Sequence, residues 1–225
     1  VSPNQSPSGA IEEAIAAFEA GHPVCIHDAS DREGETDLVY HADAVDPAAV
    51  ARLRNDAGGL VCVALGDAAA TAAELPYATA AIDHPAVEDT AMAYGDRPSF
   101  SLSVNHRETF TGITDEDRAL TIQELGRFAA EATAGDATVV DFAERFRSPG
   151  HVQLLRAAPE LLAERRGHTE LGIALANAAD LPPAVVVCEM LTDGDGAQSR
   201  ETAREYAATH GIPFLRGEWL IETLA

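Results

Sequence analysis

An α+β fold is expected from this chain: a single domain with a mixed β-sheet flanked by helices, three-layered and α/β/α-like. Three observations lead there. Segments with strand and helix patterning alternate along the whole sequence. No Pro/Gly/Ser-rich linker divides it, and no internal repeat is visible. Its 225 residues, 46 % of them apolar, are enough to bury a sizeable core.

The elements follow in order. Residues 1–9 begin VSPNQSPS, polar with two prolines, and are expected to form a disordered lead to a domain spanning 10–225. Residues 10–20 have helical spacing and stop at Gly21, a C-cap signal. PVCIHD (23–28) reads as a strand, DREGETD (31–37) as a charged loop and LVYHADAV (38–45) as a second extended segment. Residues 47–57 read as a helix, with Pro47 tolerated in its first turn. LVCVALG (60–66) lacks polar side chains and reads as a buried strand. An alanine-rich helix follows, after which the chain shows no clear period as far as residue 98. FSLSVNH (100–106) alternates as a strand, and Thr114 opens a long helix with a capping-box pattern to Asp117. HVQLLRA (151–157) reads as a strand, and residues 169–179 as a helix that Thr169 can cap. AVVVCEML (184–191) reads as a strand buried on both faces and SRETAREYAATHG (199–211) as a helix closed by Gly211. IPFLRGEWLIETLA (212–225) gives a strand and a short helix. No GxGxxG or P-loop sits between strand and helix, which leaves a nucleotide-binding reading unsupported.

Charge narrows the function classes. Thirty-seven acidic against fifteen basic residues give a net charge of −22, which disfavours nucleic acid and anionic membranes as partners. All fifteen basic residues are arginine. Self-repulsion of this size destabilises a compact state in dilute buffer. Molar salt shortens the screening length to roughly 3 Å. A salt-adapted protein is therefore expected. No apolar stretch reaches the length of a membrane span, and no basic stretch precedes an apolar run at the start, so a cytoplasmic location is expected too. Cys25, Cys62 and Cys188 are far apart in apolar runs without zinc-ligand spacing, and read as buried small hydrophobes.

Four places concentrate chemistry. Asp31, Glu33, Glu35 and Asp37 surround Arg32 at a strand end, where α/β proteins place ligands. Such a group could bind a hard divalent cation, or be a solvated acidic turn. In Arg165-Arg166-Gly167-His168-Thr169-Glu170 the local sign of charge reverses. A helix starting there, with a guanidinium beside it, suits a phosphate. Arginines paired to nearby acids are the plain alternative. His151 follows Pro149-Gly150 on a tight turn, which would fix its imidazole. Glu189 sits in an apolar strand, where burial would suit it to acid–base work, unless it faces water at the strand end.

The order of motifs resembles the 3,4-dihydroxy-2-butanone 4-phosphate synthase family. The residues that carry this are DREGETD at 31–37, GGLVC at 58–62, TGITDEDR at 111–118, PGH at 149–151, RRGHTE at 165–170 and CE at 188–189. Together they span almost the whole chain. Thr36 stands where the family has a glycine, and residues 83–98 match poorly. The GTP cyclohydrolase domain of fused relatives is not expected, so the resemblance implies a monofunctional form. It also implies conversion of D-ribulose 5-phosphate to L-3,4-dihydroxy-2-butanone 4-phosphate and formate by a lyase of riboflavin biosynthesis. The steps would be enolisation, loss of water, a carbon-skeleton shift and expulsion of one carbon. Carried over to this chain, Glu33 and His168 would hold magnesium, with manganese as a possible substitute. Imidazole is an unusual ligand for magnesium, so most of that ion's ligands would be substrate oxygens and water. Arg165 and Thr169, with Arg166, Gly167 and Thr111, would bind the substrate at its phosphate. Arg32, Glu33, Asp37, His168 and Glu189 would contact the rest of it. His151 and Glu189 would be essential to catalysis, and either Asp37 or Glu189 could be the base. The family works as a homodimer with sites at the subunit interface. Another metal-dependent sugar-phosphate isomerase or aldolase, or a non-catalytic acidic binding domain, are the alternatives.

Overall fold

The structure, a computed structural model, describes residues 6–29, 32, 34–87, 97–194 and 196–225. Seven strands make one mixed sheet: β1 (Val24–His27), β2 (Thr36–His41), β3 (Cys62–Leu65), β4 (Phe100–His106), β5 (Phe146–Arg156), β6 (Ala184–Glu189) and β7 (Phe214–Arg216). Their spatial order is β4-β5-β3-β6-β2-β1-β7. The β1–β7 and β3–β5 pairs are parallel and the other neighbours antiparallel. The central strands β2, β3 and β6 are buried along almost their full length because helices cover both faces.

The helices are α1 (Pro7–Glu19), α2 (Pro47–Arg52), α3 (Asp67–Ala72), α4 (Ala78–Ala81), α5 (Asp115–Ala134), α6 (Val139–Arg145), α7 (His168–Ala178), α8 (Arg200–His210) and α9 (Gly217–Leu224). On one face Phe18 of α1, Leu171 and Leu175 of α7 and Leu220 of α9 pack on Val39, Ala64, Val185 and Val187 of the sheet. On the other, Val50, Ile122, Leu125, Phe128 and Ala203 pack on Leu38, Val63, Val186 and Cys188. The three-layer α+β expectation holds, and the three cysteines are buried thiols in these strands.

Several boundaries move. Helix α1 starts at Pro7, with Ser6 Oγ accepting the Gly9 N–H, so residues 7–9 of the expected disordered lead are helical. Thr36 and Asp37 leave the acidic loop and open β2, where Thr36 pairs with His27. Strand β5 starts at Phe146, before the expected 151, and α6 was not foreseen in the sequence. The expected alanine-rich helix is α3, and the stretch without period after it contains α4 and a 3₁₀ turn at Pro85–Val87; residues 88–96 lie outside the described ones. Thr169 is not the cap of its helix. Gly167 holds that position with extended backbone (φ −85°, ψ 172°) and Thr169 lies one residue inside α7.

Candidate active site

The site forms where β2 begins, β6 ends and α7 begins. In the β2–β6 register Asp37 stands directly opposite Glu189. Like charges facing across a ladder are destabilising, so this pairing has no purpose in the fold itself. Asp37 is 2 % exposed, and its Oδ1 is buried without a hydrogen bond. Burial pushes its carboxyl up to about 7, with Glu189 and Asp28 adding to the rise and His168 opposing it. Glu189 is held from the side, its Oε2 accepting the Leu60 N–H at 2.9 Å. Gly59 donates to the Glu189 carbonyl at 3.0 Å, and a Cβ on Gly59 would stand 2.7 Å from that oxygen. Gly59, just before β3, is thus a requirement of the glutamate lying over it.

His168, the first residue of α7, points its ring at the pair. Its Nε2 is 3.1 Å from the Ile26 carbonyl, which can only accept, so Nε2 carries a proton. Nδ1 then faces Asp28 Oδ1 and Asp37 Oδ1, each at 3.5 Å. Two carboxylates turned on one ring nitrogen call for a positive charge there, a proton or a metal ion. An imidazole that donates its far N–H to a backbone carbonyl is oriented as metal-binding histidines are. These residues fit a divalent cation held by few protein groups. Among the described residues no three side chains form a closed metal centre. Glu33, the other expected ligand, lies outside the described residues, as does Asp31.

Beside His168 the backbone N–H groups of the first turn of α7 form a positive helix end. Arg165 and Arg32 border it: a Cβ on Gly167 would run into the Arg165 guanidinium and stand 3.0 Å from Arg32 Nη2. Arg165 Nη1 donates to Glu170 Oε2 at 2.6 Å, while Glu170 Oε1 accepts the Ala158 N–H at 3.1 Å. Arg32, Glu35, Asp37, Arg165, Gly167, His168, Thr169 and Glu189 all line one cleft, closed at one side by Ser99, Phe100 and Leu155. An anion at the α7 end and a polarised carbon chain over the Asp37–Glu189 pair is the ligand such a cleft suits.

Three expected residues do not line it. Arg166 is exposed at the surface. Thr111 is exposed on the β4–α5 loop, where its hydroxyl and N–H donate to Asp117 Oδ2 at 3.2 and 3.0 Å. His151 lies in a bulge of β5 and is solvent-exposed. It is nevertheless at the same end of the sheet as Glu189: Cys62 pairs with both Gln153 and Val187, and His151 and Glu189 each lie two residues further in that direction. Residues missed in the sequence are Asp28, Glu170 as the anchor of Arg165, and Asn105, which grips His151. Glu170 had a signal, its place in the same short charged motif. Asp28 and Asn105 are single polar residues at strand ends and had none.

Known proteins show the same pattern. A family model described as 3,4-dihydroxy-2-butanone 4-phosphate synthase matches residues 12–223. A protein of that name from Archaeoglobus fulgidus is 49 % identical over 221 residues, covering 94 % of this chain and 92 % of its own. A crystal structure of a 3,4-dihydroxy-2-butanone 4-phosphate synthase in complex with two magnesium ions superposes with a TM-score of 0.78 at 30 % identity, over 94 % of each chain. A two-domain synthase of the same name from A. baumannii gives a TM-score of 0.76 at 31 % identity over 93 % of this chain, which spans 56 % of that longer protein. With sequence, fold and motif order in agreement, this chain belongs to the 3,4-dihydroxy-2-butanone 4-phosphate synthase family.

Proposed function

We propose that this chain converts D-ribulose 5-phosphate to L-3,4-dihydroxy-2-butanone 4-phosphate and formate, a lyase step of riboflavin biosynthesis. The observation that carries the reading is the buried Asp37, paired across the sheet with the half-buried Glu189 and turned toward His168 beside a cationic helix start. The substrate phosphate docks on the first turn of α7, between the Arg165 and Arg32 guanidinium groups and the Thr169 hydroxyl. That anchoring sets the sugar carbons over the carboxylates. Asp37, with a carboxyl near 7, is suited to take the proton from the carbon beside the carbonyl and to return it later. Glu33 and His168 would hold a divalent cation, which would supply Lewis-acid polarisation of the sugar oxygens. Magnesium fits that role, with manganese as a substitute. Glu189 fixes the hydroxyl-bearing carbons, and His151 serves as a proton donor. The water lost after enolisation is taken up again when one carbon leaves as formate, so no oxidant or reductant enters.

The reading includes a homodimer. Thr111 and His151 stand outside the cleft lining, and the loop bearing Thr111 exposes Phe110 at 94 % with Ile113 beside it. A second copy seated on this loop would cover the apolar side chains and complete each cleft. A salt-adapted enzyme is the accompanying reading, supported by the charge of −22 without lysine.

The test is to follow D-ribulose 5-phosphate by NMR with magnesium present. Formate should appear as substrate disappears, stop on addition of EDTA and resume with excess magnesium. Glu33→Ala should abolish turnover with an unchanged circular-dichroism spectrum. Sugar-phosphate turnover without formate would favour an isomerase or aldolase, and no turnover at all would leave only a binding domain.

A further inference from the structure

His151 sits on a bulge that is built around one buried amide. Arg147 and Val152 of β5 pair with the adjacent residues Asn105 and Val104 of β4, so Ser148–His151 are extruded between them. Gly150 lies so close to the Val104 backbone that a Cβ there would overlap it, and its N–H donates to Ser103 Oγ at 3.2 Å. Asn105 is 5 % exposed and makes the remaining grip. Its Oδ1 accepts the His151 backbone N–H at 2.8 Å. Its Nδ2 lies 3.1 Å from His151 Nδ1, nearer than Oδ1 at 3.3 Å. The amide orientation is settled by the backbone: an N–H can only donate, so the atom facing it is the oxygen, and the NH₂ group is left turned to the ring. A buried NH₂ needs an acceptor. His151 Nδ1 is that acceptor only if it carries no hydrogen. Gly112, at φ 89°, presses on the same amide: a Cβ there would overlap the Asn105 side chain and lock it out of place.

We propose that Asn105 is a positioning residue that holds the neutral His151 ring with its proton on Nε2, at the edge turned away from the protein. His151 then meets the substrate as a hydrogen-bond and proton donor, leaving the base to the carboxylate pair. This rests on His151 belonging to the active site and adds to that reading which nitrogen works and what sets it.

The test uses the 225-residue chain with magnesium, labelled with ¹⁵N-histidine, at a pH where the ring is neutral. Long-range proton–nitrogen correlation identifies the protonated nitrogen, and the His151 signals are those missing from His151→Gln. In the wild type the proton should be on Nε2. Asn105→Asp keeps the acceptor for the backbone N–H but sets a carboxylate oxygen against Nδ1. The proton should move to Nδ1 and kcat fall roughly 10²-fold, with KM changed less than about threefold. Ser103→Ala loosens the same bulge without touching the ring and should keep the proton on Nε2. A wild-type ring protonated on Nδ1, an Asn105→Asp variant still protonated on Nε2, or an equal shift in Ser103→Ala would each overturn the proposal alone. Near wild-type turnover by His151→Gln would instead remove His151 from the site, and the proposal with it.

Discussion

Glu170 has no exposure to solvent and bonds at once to Arg165 and to the Ala158 backbone. Removing one member of a buried ion pair costs on the order of 3–5 kcal/mol. Glu170→Ala should therefore lower the melting temperature and, by releasing the Arg165 fork, raise KM for the sugar phosphate more than it lowers kcat; thermal melts and steady-state kinetics read both. A variant of wild-type KM would show that Arg165 needs no anchor. Gly59→Ala makes a second case. Its Cβ would press on the Glu189 carbonyl at 2.7 Å and displace the carboxylate above it, so turnover should collapse while β3 still pairs. Residues of this kind were legible in the sequence where context made them odd: a glutamate in an apolar strand, arginines against a charge of −22. Asn105 and Asp28 were not, because one polar residue ending a strand looks like an ordinary outward position.

Helix α7 illustrates what periodicity gives and what it leaves out. The apolar repeat from Leu171 onward marked the helix, but its start depended on Arg165 just before it and on Arg32, brought there from a distant part of the sequence. Gly167 takes the cap position because Arg165 and Arg32 occupy the space a Cβ would need. Helix α6 and the early start of β5 were missed for a different reason. The Thr138–Asp141 capping box lies in a seven-residue helix, too short to show a period. The capping pattern at Thr114 proved half right. Thr114 Oγ1 accepts the Asp117 N–H at 3.1 Å, but the Asp117 carboxylate turns to the loop and accepts the N–H groups of Phe110, Thr111 and Gly112 at 3.2, 3.0 and 2.7 Å. Those bonds, the Gly112 one foremost, hold its carboxyl below the usual range. A depressed carboxyl stabilises above its ordinary value of 3.8, and that contribution is lost as pH falls through the lower folded value. Amide exchange at Thr111 and Gly112 should accelerate on acidification through that window. In Asp117→Asn it should be fast already and insensitive to pH; an unchanged wild-type profile would contradict the clasp.

The whole molecule joins two separate economies of charge. Its surface carries a net −22, which dilute buffer leaves unscreened. Stability should climb with KCl toward molar concentrations, and protein unfolded in low salt should recover on adding it; an identical melt without salt would refute salt adaptation. The interior gathers carboxylates where β2 meets β6, and the sheet order is what does so. It inserts β6 between β2 and β3, and thereby sets Asp37, the end of the acidic segment, against Glu189 of the CE motif at 188–189, with His168 at the charged start of α7 beside it. The mixed, helix-flanked sheet could be read from alternating segments, but this strand order could not, because pairing of distant strands leaves no local pattern. Asp37 carries the cost. Its raised carboxyl means that, without metal, stability is lost as pH rises from 3.8 to about 7, where the buried group must ionise. Asp37→Asn removes that charge and keeps the shape. Formate release from D-ribulose 5-phosphate by this variant should fall by about 10²-fold or more, while its metal-free form melts above the wild type at pH values over 7. Formate release at the wild-type rate would contradict a catalytic role for the buried Asp37.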